Sequence, residues 1–222
     1  MAKSAKEAPP PAQSDLFGEF PVESISTPKG FDSWDEAIPL PEEKRLIAQI
    51  DASQLEPFRF QGWLGKRLTR SFGWTYDHET GRAEQGRPIP DWLIPIRSLV
   101  AGHLGVSPER FEQALVIRYD PGAVIGWHKD RPMFDLVAGL SLGRSAPLRF
   151  RRRAEKGFER FTHEARQRGL YLLSGEARHH WEHSIAELDS HRWSVTFRTL
   201  EETGHRGGRE RFRRTLSAAS SL

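Results

Sequence analysis

His128 and Asp130 are the two side chains of this sequence whose types and spacing are best suited to holding a metal ion. In an extended segment, residues i and i+2 project from the same face, so this imidazole and this carboxylate would point the same way. Two histidines and one carboxylate on one side of an Fe(II) ion leave positions open for a chelating co-substrate and for O₂. Because an isolated His-x-Asp pair also occurs on surface turns, the interpretation requires a third ligand from another strand.

Three histidines later in the chain are candidates for the third ligand: His179, His180 and His183. If this segment is extended, alternation puts residues 179 and 183 on one face and residue 180 on the other. Alternation therefore disfavours His180 and leaves His179 and His183 both open.

Segment 192–198 carries a second chemical signal, because apolar and polar residues alternate along it. On a strand, Trp193, Val195 and Phe197 would share one face, and the opposite face would be wholly polar, with Arg192, Ser194, Thr196 and Arg198. The ordinary interpretation is an amphipathic strand whose polar face lies in water. If both faces are covered, as in a barrel, the two arginines need anionic partners to offset their desolvation. A dicarboxylate bound beside the metal would satisfy that need, since the guanidinium fork matches carboxylate geometry.

Composition narrows the class of protein and the kinds of site. The chain has 222 residues, 37% of them hydrophobic, and a net charge of +3, which favours one catalytic domain with a substantial core. It contains no cysteine, which excludes disulfides, thiolate zinc sites, iron–sulfur clusters and cysteine nucleophiles. No apolar run approaches the roughly 20 residues of a membrane span, and the N-terminus lacks the apolar stretch of a signal peptide. We therefore expect a cytoplasmic protein with no membrane partner.

Three regions are predicted along the chain. Residues 1–35 combine prolines with small and polar residues, a composition typical of a flexible leader. Residues 36–202 are expected to form the catalytic domain. Residues 203–222 hold five arginines and one glutamate, a net charge of +4 compared with +3 for the whole chain. This tail is expected to be disordered, although its charge would also suit nucleic-acid phosphates.

The order of the secondary-structure signals indicates the class of fold. Apolar residues at helical spacing predict one short helix from Pro41 and a second from Asp91, a candidate N-cap. After Phe111 the pattern changes to short β-rich runs separated by glycines and prolines, at 114–119, 136–142, 148–152, 170–173 and 193–200. Strands at this spacing favour an antiparallel sandwich, jelly roll or barrel over parallel βαβ units.

Four motifs, in this order, resemble those of the AlkB-like 2-oxoglutarate- and Fe(II)-dependent dioxygenases. They are Arg-Tyr-Asp-Pro-Gly-Ala at 118–123, His-Lys-Asp at 128–130, Trp-Glu-His-Ser-Ile at 181–185 and Arg-x-Ser-x-Thr-Phe-Arg at 192–198. Four ordered motifs are far more specific than any one of them, and the resemblance covers roughly residues 55–200. It implies an α+β, mainly β fold: a double-stranded β-helix (jelly-roll) core with N-terminal helices packed on it.

The resemblance also implies a role for each motif residue. The metal ligands and catalytic residues would be His128, Asp130 and His183, and the His-Ser context selects His183 over His179. The co-substrate 2-oxoglutarate would be held by Tyr119, Arg192 and Arg198, with Ser194 and Thr196 on the same strand. O₂ would be the other co-substrate. Ile117 and Ser194 depart from the family, which often has asparagine at both positions, so the hydrogen bonds to 2-oxoglutarate are expected to be rearranged.

The resemblance implies a reaction and a class of substrate. The family couples decarboxylation of 2-oxoglutarate to oxidation of a C–H bond, and its nucleic-acid members remove an N-methyl group from a flipped base as formaldehyde. We therefore expect a monomeric demethylase that repairs alkylated DNA or RNA. Two alternatives stay open: the same chemistry on a protein or small molecule, and a nonenzymatic nucleic-acid-binding β-sandwich. Pro132 stands where certain DNA-repair members have an acidic residue, so their base recognition does not transfer.

Candidate substrate residues lie outside these motifs. Trp74 and Tyr76 alternate with Phe72 on one predicted strand face and could stack on bases, unless that face packs into the core. Arg151 belongs to a run of arginines at 149–153 that could follow phosphates. A solvated edge strand protected by charge would explain the same run.

Overall fold

The computed structural model describes residues 27–60, 63–76 and 83–201. Three α-helices lie in these residues, with α1 at Leu40–Ala52, α2 at Ile94–Leu104 and α3 at Gly175–His179. The strands are β1 Phe31–Trp34, β2 Glu56–Phe60, β3 Trp63–Tyr76, β4 Ala83–Gln85, β5 Phe111–Tyr119, β6 Ile125–His128, β7 Phe134–Leu142, β8 Ala146–Arg153, β9 Phe158–Ala165, β10 Leu170–Leu173, β11 Glu182–Ile185 and β12 Arg192–Leu200.

The strands form two antiparallel sheets. The larger sheet has the order β1-β10-β7-β12-β5-β3-β2, with β4 paired to β3, and the smaller has the order β6-β11-β8-β9. Apart from the hairpins β2-β3, β3-β4 and β8-β9, neighbours in these sheets are not consecutive in sequence, which is the crossover pattern of a jelly roll rather than of a meander. The predicted jelly-roll core with N-terminal helices is confirmed.

Two apolar clusters cover both faces of the larger sheet. On one face, Val195 and Phe197 pack with Leu46 of α1 and Val100 of α2. On the other face, side chains of the larger sheet pack against Phe150 and other residues of the smaller sheet. The polar face of β12 points into this second layer, where Arg192, Ser194 and Thr196 are buried. The interpretation of β12 as a strand with one face in water is therefore wrong.

Local signals explain the helices. In α1, a proline stands in the first turn, where its missing N–H costs no hydrogen bond. Asp91 begins a 3₁₀ turn, Asp91–Leu93, that leads into α2, so the N-cap position belongs to Pro90 and the prediction of Asp91 as N-cap is wrong. The α2 helix ends at Leu104, and the φ of 62° at the next residue, Gly105, is the left-handed conformation that glycine adopts at little cost. No helix among the described residues is long and apolar enough to cross a bilayer.

The predicted boundary of the leader, at residue 35, lies too far along the chain. Residues 31–34 form β1 and pair with β10, so the sheet begins inside the segment that the sequence assigned to the leader. The reason is aromatic packing: the ring of Phe31 lies 5.3 Å from that of Phe150 and 5.5 Å from that of Phe161. Residues 1–26 and the predicted tail, 203–222, lie outside the described residues. The cytoplasmic location and the monomeric state stay predictions.

Candidate metal and co-substrate site

Strands β6 and β11 bring His128, Asp130 and His183 together. The two histidines are direct cross-strand partners, and their ring centroids lie 4.3 Å apart. Asp130 follows β6 by two residues, and its Oδ2 lies 3.5 Å from Nε2 of His183. One ligand atom from each of the three side chains lies within 4.8 Å of the others. The three residues that the sequence selected could therefore contact one ion.

The two histidines present neutral imidazoles. Nδ1 of His128 lies 2.9 Å from the carbonyl oxygen of Gly126, and if Nδ1–H donates to this oxygen, Nε2 keeps its lone pair for a metal. Burial lowers the pKa of His128, and burial, followed by the proximity of His128, lowers the pKa of His183 to about 3. A neutral imidazole is the form that binds a metal ion, so protons compete little with a metal near pH 7.

Asp130 is an ionised, buried carboxylate with one free oxygen. Burial is the largest single effect and opposes its ionisation, but the neighbouring positive charges, of which Arg198 is the strongest, together outweigh burial and keep the pKa of Asp130 well below its ordinary value. Arg198 contacts Oδ1 of Asp130, with Nε at 2.7 Å. Oδ2 is buried and has no hydrogen-bond partner among the described residues. An anionic oxygen in that position fits a cation, because leaving it buried and unpaired is costly.

Arg192 is a second buried charged group, and it has no counter-ion among the described residues. Its side chain is fully buried, and its Nε and one terminal nitrogen lie 3.3 and 3.1 Å from Oγ of Ser141. The guanidinium also lies 4.9 Å from the centroid of the Tyr119 ring. Its other terminal nitrogen has no hydrogen-bond partner among the described residues. A buried guanidinium with a free N–H and no counter-ion in the described part of the chain fits a carboxylate ligand.

The structure adds residues to this site that the sequence did not reveal. Tyr171 is among them, and burial raises the pKa of its hydroxyl to about 12, so it stays protonated. Gly139 makes room for it, since a Cβ there would lie 2.4 Å from the Tyr171 oxygen. Arg67 faces Tyr119 across β3 and β5, and its buried Nε has no partner among the described residues. No local pattern marks these residues, because strand pairing alone brings them to the site.

Arg178 is another residue of this site that the sequence did not reveal, and it positions Asp130 indirectly, through the backbone that follows it. It lies in α3, where its Nη2 donates to the carbonyl oxygens of Arg131 and Phe134 at 2.5 and 2.7 Å. These two carbonyls belong to the segment that leaves Asp130. Arg178 therefore anchors the chain just after the carboxylate.

The segment that holds the three candidate histidines is not extended throughout. Residues 175–179 are helical, and the strand begins only at Glu182, so the premise of alternation is wrong there. His179 consequently lies away from the His128 cluster, with its Nε2 3.9 Å from Asp135 and 3.8 Å from Glu201. His180 is exposed. The His-Ser context and the structure both lead to His183, whereas alternation left two candidates.

The candidate substrate residues lie on two strands, β3 and β8. Trp74 is half-buried on β3, but Gly73 has a φ of 76° that interrupts the regular pleat after Phe72. Tyr76 lies at the end of β3, and its side chain is outside the described set. Arg151 is paired with Glu182 at 2.6 Å, on the outer face of the smaller sheet. It therefore points away from the metal candidates.

A sequence model of the 2OG-Fe(II) oxygenase superfamily matches residues 51–209. The chain belongs to this superfamily. Among curated proteins it is similar to the Mus musculus tRNA (carboxymethyluridine(34)-5-O)-methyltransferase ALKBH8, with 27% identity over 166 residues. That alignment covers 71% of this chain but 24% of the relative, so the chain spans about a quarter of the relative's length.

Two solved structures share the fold of this oxygenase. OsALKBH1 superimposes with a TM-score of 0.61 at 15% identity, covering 78% of this chain and 98% of that chain. A prolyl-4-hydroxylase from Pseudomonas putida gives a TM-score of 0.52 at 18% identity, covering 78% and 93%. The predictions of an AlkB-like dioxygenase and of its cofactors Fe(II), 2-oxoglutarate and O₂ are confirmed at the level of the family. The nonenzymatic alternative is thereby set aside.

Proposed function

We propose that His128, Asp130 and His183 bind Fe(II), and that Arg192 binds a carboxylate of 2-oxoglutarate. One observation carries the proposal: Oδ2 of Asp130 and a terminal nitrogen of Arg192 are both buried without a hydrogen-bond partner among the described residues. One needs a cation and the other an anion, and the iron complex of 2-oxoglutarate supplies both. Tyr119, Ser194, Thr196 and Arg198 complete the proposed co-substrate site as polar or ionic neighbours on β5 and β12.

When bound, iron and 2-oxoglutarate supply the activation of O₂ and the oxidation of a C–H bond. The chain's own residues orient the metal ligands and the co-substrate, and they exclude water from the site. The Gly126 carbonyl fixes the ring of His128, and Arg198 fixes the carboxylate of Asp130. Tyr171 stays protonated and can donate a hydrogen bond to an anion near Arg192. Apolar residues around this layer, such as Phe150 and Ile185, keep water from it.

We further propose that the substrate is an N-methylated base of DNA or RNA. The support is twofold: a relative of 27% identity is named for a reaction on tRNA, and arginines outnumber carboxylates on the outer face of the sheet that carries the two histidines. In the balanced reaction, one oxygen atom of O₂ enters succinate and the other enters the methyl group, and 2-oxoglutarate loses CO₂. The C–N bond of the resulting hydroxymethyl group then breaks. The hydroxyl proton moves to the nitrogen, and the carbon leaves as formaldehyde.

The test is incubation with Fe(II), 2-oxoglutarate and single-stranded DNA or RNA that carries N-methylated bases. We expect formaldehyde and the unmethylated base in equal amounts, with none from the His128→Ala variant or from an unmethylated strand of the same sequence. Succinate formation without either product would contradict the nucleic-acid substrate and leave the oxygenase chemistry standing.

A protein or small-molecule substrate is the second candidate, because AlkB-like and prolyl-4-hydroxylase structures share this fold. It predicts a product heavier by about 16 daltons, or lighter by about 14 if a methyl group is lost, since the chemistry sets these changes. Mass spectrometry of a cell extract incubated with wild type and with His128→Ala would separate the two candidates.

A further inference from the structure

The arginine run at 149–153 is divided between the two faces of β8. Phe150 pairs with His183 and packs inside the jelly roll. The odd-numbered arginines therefore project from the opposite, outer face. Cross-strand pairing places Arg160 of β9 beside Arg151 on that face. Four arginines consequently share the outer face, and we call them the outer arginine set: Arg149, Arg151, Arg153 and Arg160.

Arg152 does not belong to the set. It projects to the other side, where its guanidinium lies 4.9 Å from the ring centroid of the buried Trp181. It also forms ion pairs with Glu159 and Glu176. Its donors are therefore already used within the fold.

Two aromatic rings order the outer arginine set. The guanidinium of Arg151 lies between Trp127 and Phe158, 4.5 and 4.6 Å from their ring centroids. Arg149 also lies over Trp127, and Arg153 and Arg160 lie over Phe158. Stacking engages the flat face of a guanidinium and leaves its N–H groups free at the edge. The rings thus hold the arginines in place without using their donors.

Positive charge dominates this face. Arg151 pairs with Glu182 at 2.6 Å, and Nε of Arg149 donates to the Ser184 hydroxyl at 3.2 Å. Arg153 and Arg160 are exposed, and neither pairs with a carboxylate of the described residues. Glu164 lies on the same face, further along β9 and opposite Pro147. The four arginines therefore exceed the two glutamates by two charges.

The outer face also lies beside the metal candidates. Trp127 precedes His128 on β6, the edge strand of the smaller sheet, and Glu182 precedes His183 on β11. A chain that lies across the outer arginine set can therefore reach the inner side around the β6 edge. This geometry suits a long, flexible polyanion better than a compact ligand.

We propose that the outer arginine set binds the phosphate backbone of a single nucleic-acid strand while a base of the same strand enters the iron site. The inference rests on the proposed function for the class of substrate, and it adds a second contact surface, separate from base recognition. Phosphate contacts fix the position of a strand without reading its sequence. The surface should therefore favour longer strands over mononucleotides and be tolerant of sequence.

The test measures binding without any reaction. Fluorescence anisotropy with an unmethylated 15-nucleotide strand, without iron or 2-oxoglutarate, gives the dissociation constant at several salt concentrations. The variant Arg153→Gln/Arg160→Gln should bind more weakly than wild type. Its slope of log K against log salt should be shallower by about 0.7 for each phosphate that the variant no longer neutralises. The matched control, Arg110→Gln/Arg144→Gln, changes the same charge at exposed sites elsewhere and should keep the wild-type slope.

A second variant distinguishes the loss of positive charge from a folding defect. Arg153→Lys/Arg160→Lys keeps both charges and should restore most of the slope. An unchanged slope in the glutamine variant would overturn the inference, as would an equal reduction of the slope in the control variant. Equal affinity of wild type for a polyglutamate peptide of the same charge would also overturn it.

The two proposals fail separately. If wild type releases formaldehyde from a methylated strand but the glutamine variant keeps the wild-type slope, the proposed function stands and the outer surface does not. If the strand binds through the outer arginine set but no methylated strand yields formaldehyde, the surface stands and the demethylase proposal does not.

Discussion

Arg198 holds one carboxylate oxygen of Asp130 with two nitrogens, Nε and Nη2, each at 2.7 Å. Its Nη1 donates to Oε1 of Gln113 at 2.8 Å, which fixes the guanidinium itself. The second oxygen of Asp130 is left facing His183. Arg198 is therefore the strongest of the charges that keep this carboxylate ionised, and its two contacts fix the orientation of the carboxylate in the proposed iron site.

Replacing Arg198 with glutamine should weaken Fe(II) binding about 10- to 100-fold, the usual effect of removing a residue that orients a metal ligand. The reason is that Asp130 is deprived of the charge that keeps it ionised and of the hydrogen bonds that fix it. Anaerobic calorimetric titration with Fe(II) measures the affinity. Arg198→Lys should recover part of it, since the charge returns without the paired hydrogen bonds, and an unchanged affinity in Arg198→Gln would refute this role.

Replacing His128 with alanine should reduce succinate formation to the level of a reaction without enzyme, because one of three proposed ligands is gone. The control is His180→Ala, which removes an exposed histidine outside the cluster and should retain the wild-type rate. Succinate is quantified by chromatography at saturating 2-oxoglutarate. Equal rates for His128→Ala and wild type would rule out the proposed iron site.

Replacing Arg192 with methionine should raise the stability of the protein without co-substrate and lower it, relative to wild type, when co-substrate is bound. Without 2-oxoglutarate, the variant should be more stable than wild type, because a buried, unpaired charge has been removed. With iron and 2-oxoglutarate at about 100 times its dissociation constant, wild type should gain about 2.7 kcal/mol by ligand linkage, and the variant almost nothing. Thermal denaturation measures both effects, with Arg144→Met as an exposed control. Equal stabilisation of Arg192→Met and wild type would place the co-substrate elsewhere.

Acid should destabilise the metal-free protein. The pKa of His183 falls from its ordinary 6.5 to about 3 in the folded state, so between these values the unfolded state binds a proton that the folded state does not. Stability is therefore fully present above pH 6.5 and falls as the pH falls, by up to about 1.4 kcal/mol per pH unit. The lowered pKa of His128 acts in the same direction. Urea denaturation between pH 7.5 and 5 should show this decrease, and His183→Gln should flatten it. A variant with the wild-type slope would contradict the assignment to His183.

The motifs of the site could be predicted from the sequence because they depend on local geometry. His128 ends strand β6 and Asp130 lies two residues later, and residues so spaced in an extended chain project from the same face. The alternation along β12 is equally local, and it correctly separated the side of Arg192 from the side of Val195. The same rule misled for residues 179–183, because the helix Gly175–His179 ends inside this segment and the extended chain that the rule requires begins only at Glu182.

Only the tertiary structure decided which strands and side chains pack against these faces. Whether the polar face of β12 lay in water or under a second sheet depended on the pairing of β11 with β6 and with β8, strands that are distant from β11 in the chain. The neighbours Ser141 and Tyr171 reach Arg192 through long-range pairing, and the outer arginines reach Trp127 in the same way. The amino-acid sequence by itself determines which side chains share one face of a strand, since that follows from the two-residue period of the backbone. It leaves open which distant strands lie beside them, since that depends on long-range packing of the whole chain.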